Sequence, residues 1–189
     1  MEKKYELIPS NKEGLFRIRA LRDFGVVKYG DIGGYVEDDN NLSHDGDCWI
    51  YNDAQVYDNA KVSEHAQIGG NAKIYGNARI FRFARIFDNA QVCGDATISS
   101  CVTVYGRAKI YTGYIIEQSD HIVIGPIGSR NDFVTFFKVE DKIMVSLTTC
   151  DFEGHICEFE NRVKEYHKKN RSGKQYLSSI NYVKELFNI

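Results

Sequence analysis

Counting from Ile50 in steps of six meets Ile50, Val56, Val62, Ile68, Ile74, Ile80, Ile86, Val92, Ile98, Val104 and Ile110, a β-branched aliphatic at every step. Four residues after each start stands a small side chain: Ala54, Ala60, Ala66, Ala72, Ala78, Ala84, Ala90, Ala96, Val102 and Ala108, with Cys48 in the same slot one step earlier. Side chains alternate faces along an extended chain, so the alanine and the next aliphatic, two residues apart, point one way and their neighbours the other. The pair left over in most hexads is Gly-Asn, Asp-Asn, Gly-Asp or Gly-Arg, residue types that accept tight turns and positive φ. The pattern predicts strand, corner, strand, corner. If three corners close a triangle, a coil takes about 18 residues, coils stack about 4.8 Å apart, and aliphatic and alanine fill a narrow interior.

The flanks read differently. Residues 1–47 form an N-terminal cap, in which Phe16, Ile18 and Ala20 alternate with Arg17 and Arg19 as in a half-buried strand. The glycine- and acid-rich "GVVKYGDIGGYVEDDNN" after it predicts turns. Residues 48–114 are the repeat. Residues 115–189 predict a small α+β module: strands in "HIVIG", "DFVTFFKV" and "IMVSLTT", then two helices. One helix places Phe159, Val163 and Tyr166 on a face, the other Tyr176, Ile180, Val183 and Phe187.

"IYGNAR", "VYDNAK" and "VCGDAT" are similar to the hexapeptide repeat of left-handed parallel β-helix proteins. That resemblance implies a mainly β, triangular solenoid with left-handed winding, where spacing alone is silent on hand and ordinary parallel crossovers are right-handed. The family includes acyltransferases as well as scaffolds. Taken whole, with "LRDFGVVKYGDIGGYVE" before the repeat and "IVIGPIGSRNDFVTFF" after it, the chain resembles bacterial and prophage proteins described only as hexapeptide-repeat or polymer-forming.

Net charge is −2, so no global positive field draws the chain to nucleic acid or an anionic membrane. No apolar run reaches the roughly 20 residues that cross a bilayer, and the first residues lack a secretory h-region, so a cytoplasmic location is expected. Five cysteines (Cys48, Cys93, Cys101, Cys150 and Cys157) are an odd number without a CxxC pair, which points to reduced thiols rather than a disulfide framework or zinc knuckle, and with no GxGxxG, P-loop or HExxH motif no metal or cofactor is expected.

Residues 18 apart stack on one face of the predicted prism. One face carries Trp49, Tyr51, Phe87 and Tyr105, a second Tyr57, Tyr75 and Tyr111, and the third is the most polar. Aromatic columns of this kind mark a partner surface, and the residues Trp49, Tyr51, Tyr57, Tyr75, Phe87, Tyr105 and Tyr111 are the candidate oligomer interface. The resemblance implies a trimer packed through flat faces, with a dimer next. The competing reading is that the protein's own helices cover these rings.

For chemistry, the resemblance to acyltransferases requires a histidine base in a cleft between subunits. Of His44, His65, His121, His155 and His167 only His65 lies well inside the coils, and the uninterrupted hexads leave no extruded loop to cover a substrate. Cys150 and Cys157 flank His155 in "TTCDFEGHIC", a nearness that reads more simply as core thiols at a strand-to-helix junction. No catalytic residue is assigned. In "GPIGSRND" exposed backbone N–H groups beside Arg130 suit a phosphate or carboxylate, with Ser129, Asn131 and Asp132 available to hydroxyls. The alternative is an ordinary turn in which Asp132 caps and Arg130 pairs with an acid. Arg162, Lys164, Lys168, Lys169, Arg171 and Lys174 form a basic stretch that reads as a solvated helix end.

The sequence therefore points to a non-enzymatic, oligomeric β-helix binding protein with a nucleotide-type ligand or a host protein as partner. The prophage resemblance adds the expectation of an inhibitor of bacterial defence that sequesters such a ligand. The rival expectations are an acyltransferase with interface active sites and a purely structural scaffold.

Overall fold

The computed structural model describes residues 3–148, 152–167 and 170–188. The chain divides into two compact units, 1–106 with 110–118, and 107–109 with 119–189.

The first unit opens with three strands, β1 (Tyr5–Ile8), β2 (Phe16–Ala20) and β3 (Ile32–Val36), paired antiparallel in that order. Among the described residues twelve two-residue strands follow, β4 to β15, from Trp49–Ile50 to Tyr114–Ile115. They stack in parallel on three faces. Ile50 pairs with Ile68, Ile68 with Ile86 and Ile86 with Val104, each 18 residues on, so the coil has the length the hexads predict. The last turn of the third face is one residue shorter, Ile98 pairing with Ile115. The stepped aliphatics and the alanines between them are all buried. Each aliphatic removed from water contributes on the order of 1.5–3 kcal/mol.

The corners obey a backbone rule. One residue in every six from Gly46 to Gly106 has positive φ, and Asn52, Asp58, Glu64, Arg82, Asp88 and Ser100 hold it between 54° and 60°. Backbone N–H groups donate to carbonyls one coil on, as from Gln67 to Ala84 at 2.9 Å, so the corners cost strain while the ladders stay paired.

The solenoid begins earlier than the hexads do. β3 lies in "DIGGYVE", where turns are predicted, and pairs parallel with Gln55–Val56. Its glycines serve close approach: a Cβ on Gly33 would lie 2.6 Å from the Ile50 carbonyl oxygen, and one on Gly34 2.4 Å from the Ile50 Cγ2. Leu42 then bridges to Val62 and completes a coil start that the six-residue count does not reach.

In the second unit β16 (His121–Ile127), β17 (Asp132–Val139), β18 (Lys142–Leu147) and β19 (Glu153–His155) form an antiparallel sheet in chain order. Helices α1 (Ile156–Tyr166) and α2 (Arg171–Leu186) follow. Phe159 and Val163 of α1 and Tyr176, Ile180 and Val183 of α2 share a core with Val134, Phe136 and Val145. Tyr166, expected on the same face, is 70% exposed at its edge. His155 caps α1 by accepting from the Cys157 N–H at 3.3 Å, and Asn170 caps α2 by accepting from the Gly173 N–H at 2.8 Å. Among the described residues no helix is long and apolar enough to cross a membrane.

Candidate functional site

The turn between β16 and β17 is built into the helices rather than left loose. Gly128 has φ 77°, and a Cβ there would lie 1.9 Å from the Tyr176 hydroxyl, so glycine is required twice over. Its N–H donates to Gln175 Oε1 of α2 at 3.1 Å. Asp132 is fully buried, and its carboxylate accepts from the Thr148 hydroxyl at 2.6 Å and the Phe133 N–H at 2.8 Å. The turn is therefore held from both sides before any ligand arrives.

This anchoring brings Ser129 and Arg130 to the rim of a groove of about 480 Å³ that also takes in Phe152, Phe159, Arg162, Tyr166, His167 and Tyr176. The volume lies within the range of small-molecule sites. The Arg162 guanidinium sits over the Phe152 ring at 5.5 Å, and Phe159 meets Tyr176 edge-on at 5.5 Å. The His167 ring lies 5.4 Å from that of Tyr176. Two guanidinium groups, an imidazole and a hydroxyl thus stand around an aromatic floor, and among the described residues no carboxylate lines the groove. Such a surface favours an anion carried on a flat ring.

Of the four residues read as a ligand loop, Ser129 and Arg130 line the groove. Asn131 is exposed with φ 50° beside it, and Asp132 is turned inward onto the Thr148 hydroxyl and the Phe133 N–H and away from the groove. Arg162, Tyr166, His167 and Tyr176 were not joined to the loop by the sequence. Arg162 belonged to a basic stretch and Tyr176 to a core face, and only the packing of the turn on the helices makes them one surface. The signal available was a tyrosine and an arginine at the edge of the α1 apolar stripe.

The solenoid aromatics divide. Trp49 is 2% exposed, so its place in a free interface is corrected. The N-terminal strands fold over the first coil, Phe24 meets the indole edge-on at 5.3 Å and Tyr5 at 6.3 Å. Tyr57 stacks on Tyr75 at 5.2 Å with the rings 2° from parallel. Phe87 lies across Gly69, where a Cβ would come within 2.7 Å of its ring. Tyr51 and Tyr111 are half-buried, and Tyr105 is 60% exposed.

His65 is an exposed corner residue that stacks on Phe83 at 4.8 Å, with Nδ1 3.6 Å from Asp47. His155 is occupied as a helix cap, Cys157 is exposed, and Cys150 lies outside the described residues. In the basic stretch Lys164 pairs with Glu160, Arg171 and Lys174 are exposed, and Lys168 and Lys169 lie outside the described residues. Among the described residues no group of His, Cys, Asp and Glu is placed to hold a metal ion. A scan against protein-family models and a search of curated proteins return no match for this chain.

Proposed function

We propose that this chain is a binding protein whose C-terminal unit holds a small anionic ligand bearing a flat ring, of the nucleotide class, in the groove beside the 125–132 turn. The observation that carries the reading is that Arg130, Arg162 and His167 line one groove together with Tyr166 and Tyr176. Guanidinium groups match phosphate oxygens two at a time, and the exposed Tyr166 ring gives a base something to lie on. The ligand is held rather than converted, which suits sequestration of a nucleotide-type signal in the phage-against-defence setting that the sequence resemblance suggests.

The test is thermal unfolding of the full chain with AMP, ADP, ATP, ribose 5-phosphate and glucose 6-phosphate, each in large excess. At least one nucleotide should raise the melting temperature, by several degrees if its concentration is about 100 times Kd. Arg130→Ala and Arg162→Ala should each remove that gain, and the nucleotide should be recovered unchanged. Absence of a stabilising compound, or a gain that both variants retain, sinks the reading.

The same reading includes self-association through the Tyr57 and Tyr75 face and its neighbours, as a trimer with a dimer next. Sedimentation at several concentrations should give one fixed mass. A mass that grows with concentration would favour the scaffold.

A further inference from the structure

We infer that the solenoid carries a second binding site, for an extended, uncharged oligosaccharide, along one of its corners. The site goes beyond the reading given for the C-terminal unit and shares no residue with it.

A groove of about 690 Å³ runs across successive coils of the first unit. Two outward columns form its walls. On the corner side Asn59, Asn77 and Asp95 stand 18 residues apart and are linked head to tail. The Asn59 amide donates to Asn77 Oδ1 at 3.2 Å, and the Asn77 amide donates to Asp95 Oδ1 at 2.9 Å. On the strand side the ladder pairs Lys61 with Arg79, Arg79 with Thr97 and Thr97 with Tyr114. The two columns are two residues apart in sequence, with a buried alanine between, so both face outward from the same strand. Three strand spacings make the trough roughly 14 Å long.

The chemistry selects the ligand. A primary amide has two N–H donors and two acceptor lone pairs, and each asparagine of the column uses one N–H in the ladder, leaving a donor and acceptor capacity in one fixed plane. Sugar hydroxyls both donate and accept, so a row of such planes at regular spacing suits a chain of pyranose rings, whose length per sugar is close to one strand spacing. Tyr114, 75% exposed, closes one end with a ring on which the apolar face of a sugar can lie. Three carboxylates (Asp38, Asp58 and Asp95) against two cations (Lys61 and Arg79) disfavour a polyanion such as nucleic acid. A peptide would need an apolar anchor pocket, and apart from Ala60 and Tyr114 the lining is polar.

The test is calorimetric titration of the full chain with chitotetraose, cellotetraose and maltotetraose. One of the three should bind with Kd below about 1 mM, and Asn77→Ala and Tyr114→Ala should each weaken it by about tenfold or more. Arg130→Ala, in the other unit, should bind the sugar as the parent does. Asn77 and Tyr114 are exposed, so both variants should melt within a few degrees of the parent; should either fail to fold, Lys61→Ala takes its place. No heat with any of the three sugars, or binding that survives every groove variant, overturns the inference.

Discussion

The Nζ of Lys4 donates to the carbonyl oxygen of Cys48 at 2.9 Å and to its sulfur at 3.2 Å, and the lysine is fully buried. Its third acceptor is the Gly46 carbonyl at 3.3 Å. Burial holds the amine below the ordinary lysine range and pushes the Cys48 thiol above the ordinary cysteine range. One side chain thus ties the lead-in to β1 to the corner from which the hexads start, at the end of a stack whose open strand groups would otherwise invite association.

Lys4→Met keeps the stem and removes the donors, leaving the buried Cys48 carbonyl without that partner. The expected loss is about 2–4 kcal/mol, read as a lower urea midpoint at unchanged slope. A loss within measurement error would show that the amine does not hold the cap.

Thiol labelling separates the cysteines by burial. Cys101 and Cys157 are exposed and should react with a thiol reagent on mixing, whereas buried Cys48 and Cys93 should react only as the first unit unfolds. Labelling of a Cys101→Ser, Cys150→Ser, Cys157→Ser variant checks this, and immediate reaction of Cys48 would contradict the Lys4 lock.

Corner positions should answer to substitution in opposite directions. Gly70 has φ 65°, and a Cβ there would lie 2.8 Å from the Asp88 backbone nitrogen and oxygen, so Gly70→Ala should destabilise by more than about 1 kcal/mol. Arg82 occupies a matching corner at φ 56° with a side chain, and Arg82→Gly should be neutral or stabilising by up to about 1 kcal/mol, since relief of strain opposes the greater freedom of the unfolded chain. Denaturant midpoints of the two variants decide it.

Acid should weaken both units. His121 is buried without a partner for Nδ1 among the described residues, and His44 accepts the Lys4 N–H at 3.2 Å while stacked on Tyr5 at 4.3 Å. Burial holds both imidazoles below the ordinary 6.5, against the smaller upward pull of Asp120 on His121 and Asp39 on His44. Between the folded-state value and 6.5 the unfolded chain binds protons that the folded chain does not. Stability therefore rises with pH across that window and is lost as pH falls below 6.5. His121→Phe should flatten the slope for the second unit and His44→Gln for the first, measured by urea unfolding at several pH values. Glu160, held below the ordinary carboxylate range by hydrogen bonds from Lys164 and Lys184, adds a further loss as pH falls below the ordinary 4.5 and on through its own lower value.

The solenoid was legible because its signal is local and repeated. Strand alternation and the demand for positive φ act within six residues, so Ile50 to Ile110 declare the coil, its 18-residue length and its buried stripe without any distant contact. The strands after residue 120 and both helices follow from the same short-range periods. What escaped depends on approach between segments far apart in the chain. Gly33 and Gly34 read as turn residues, yet they lie in a strand because Ile50 leaves no space for a Cβ. The one-residue slip that pairs Ile98 with Ile115 breaks the hexad count without a composition change to announce it.

The sequence by itself determined a parallel stack of three-sided coils with an aliphatic and alanine interior, since each hexad carries its own strand and corner. Only the tertiary structure decided that Trp49 lies under the N-terminal strands, and that Arg130 shares a groove with Arg162 and Tyr176. Those relationships arise when separate elements bury their apolar faces against one another, and no spacing along the chain encodes which polar residues that packing leaves side by side.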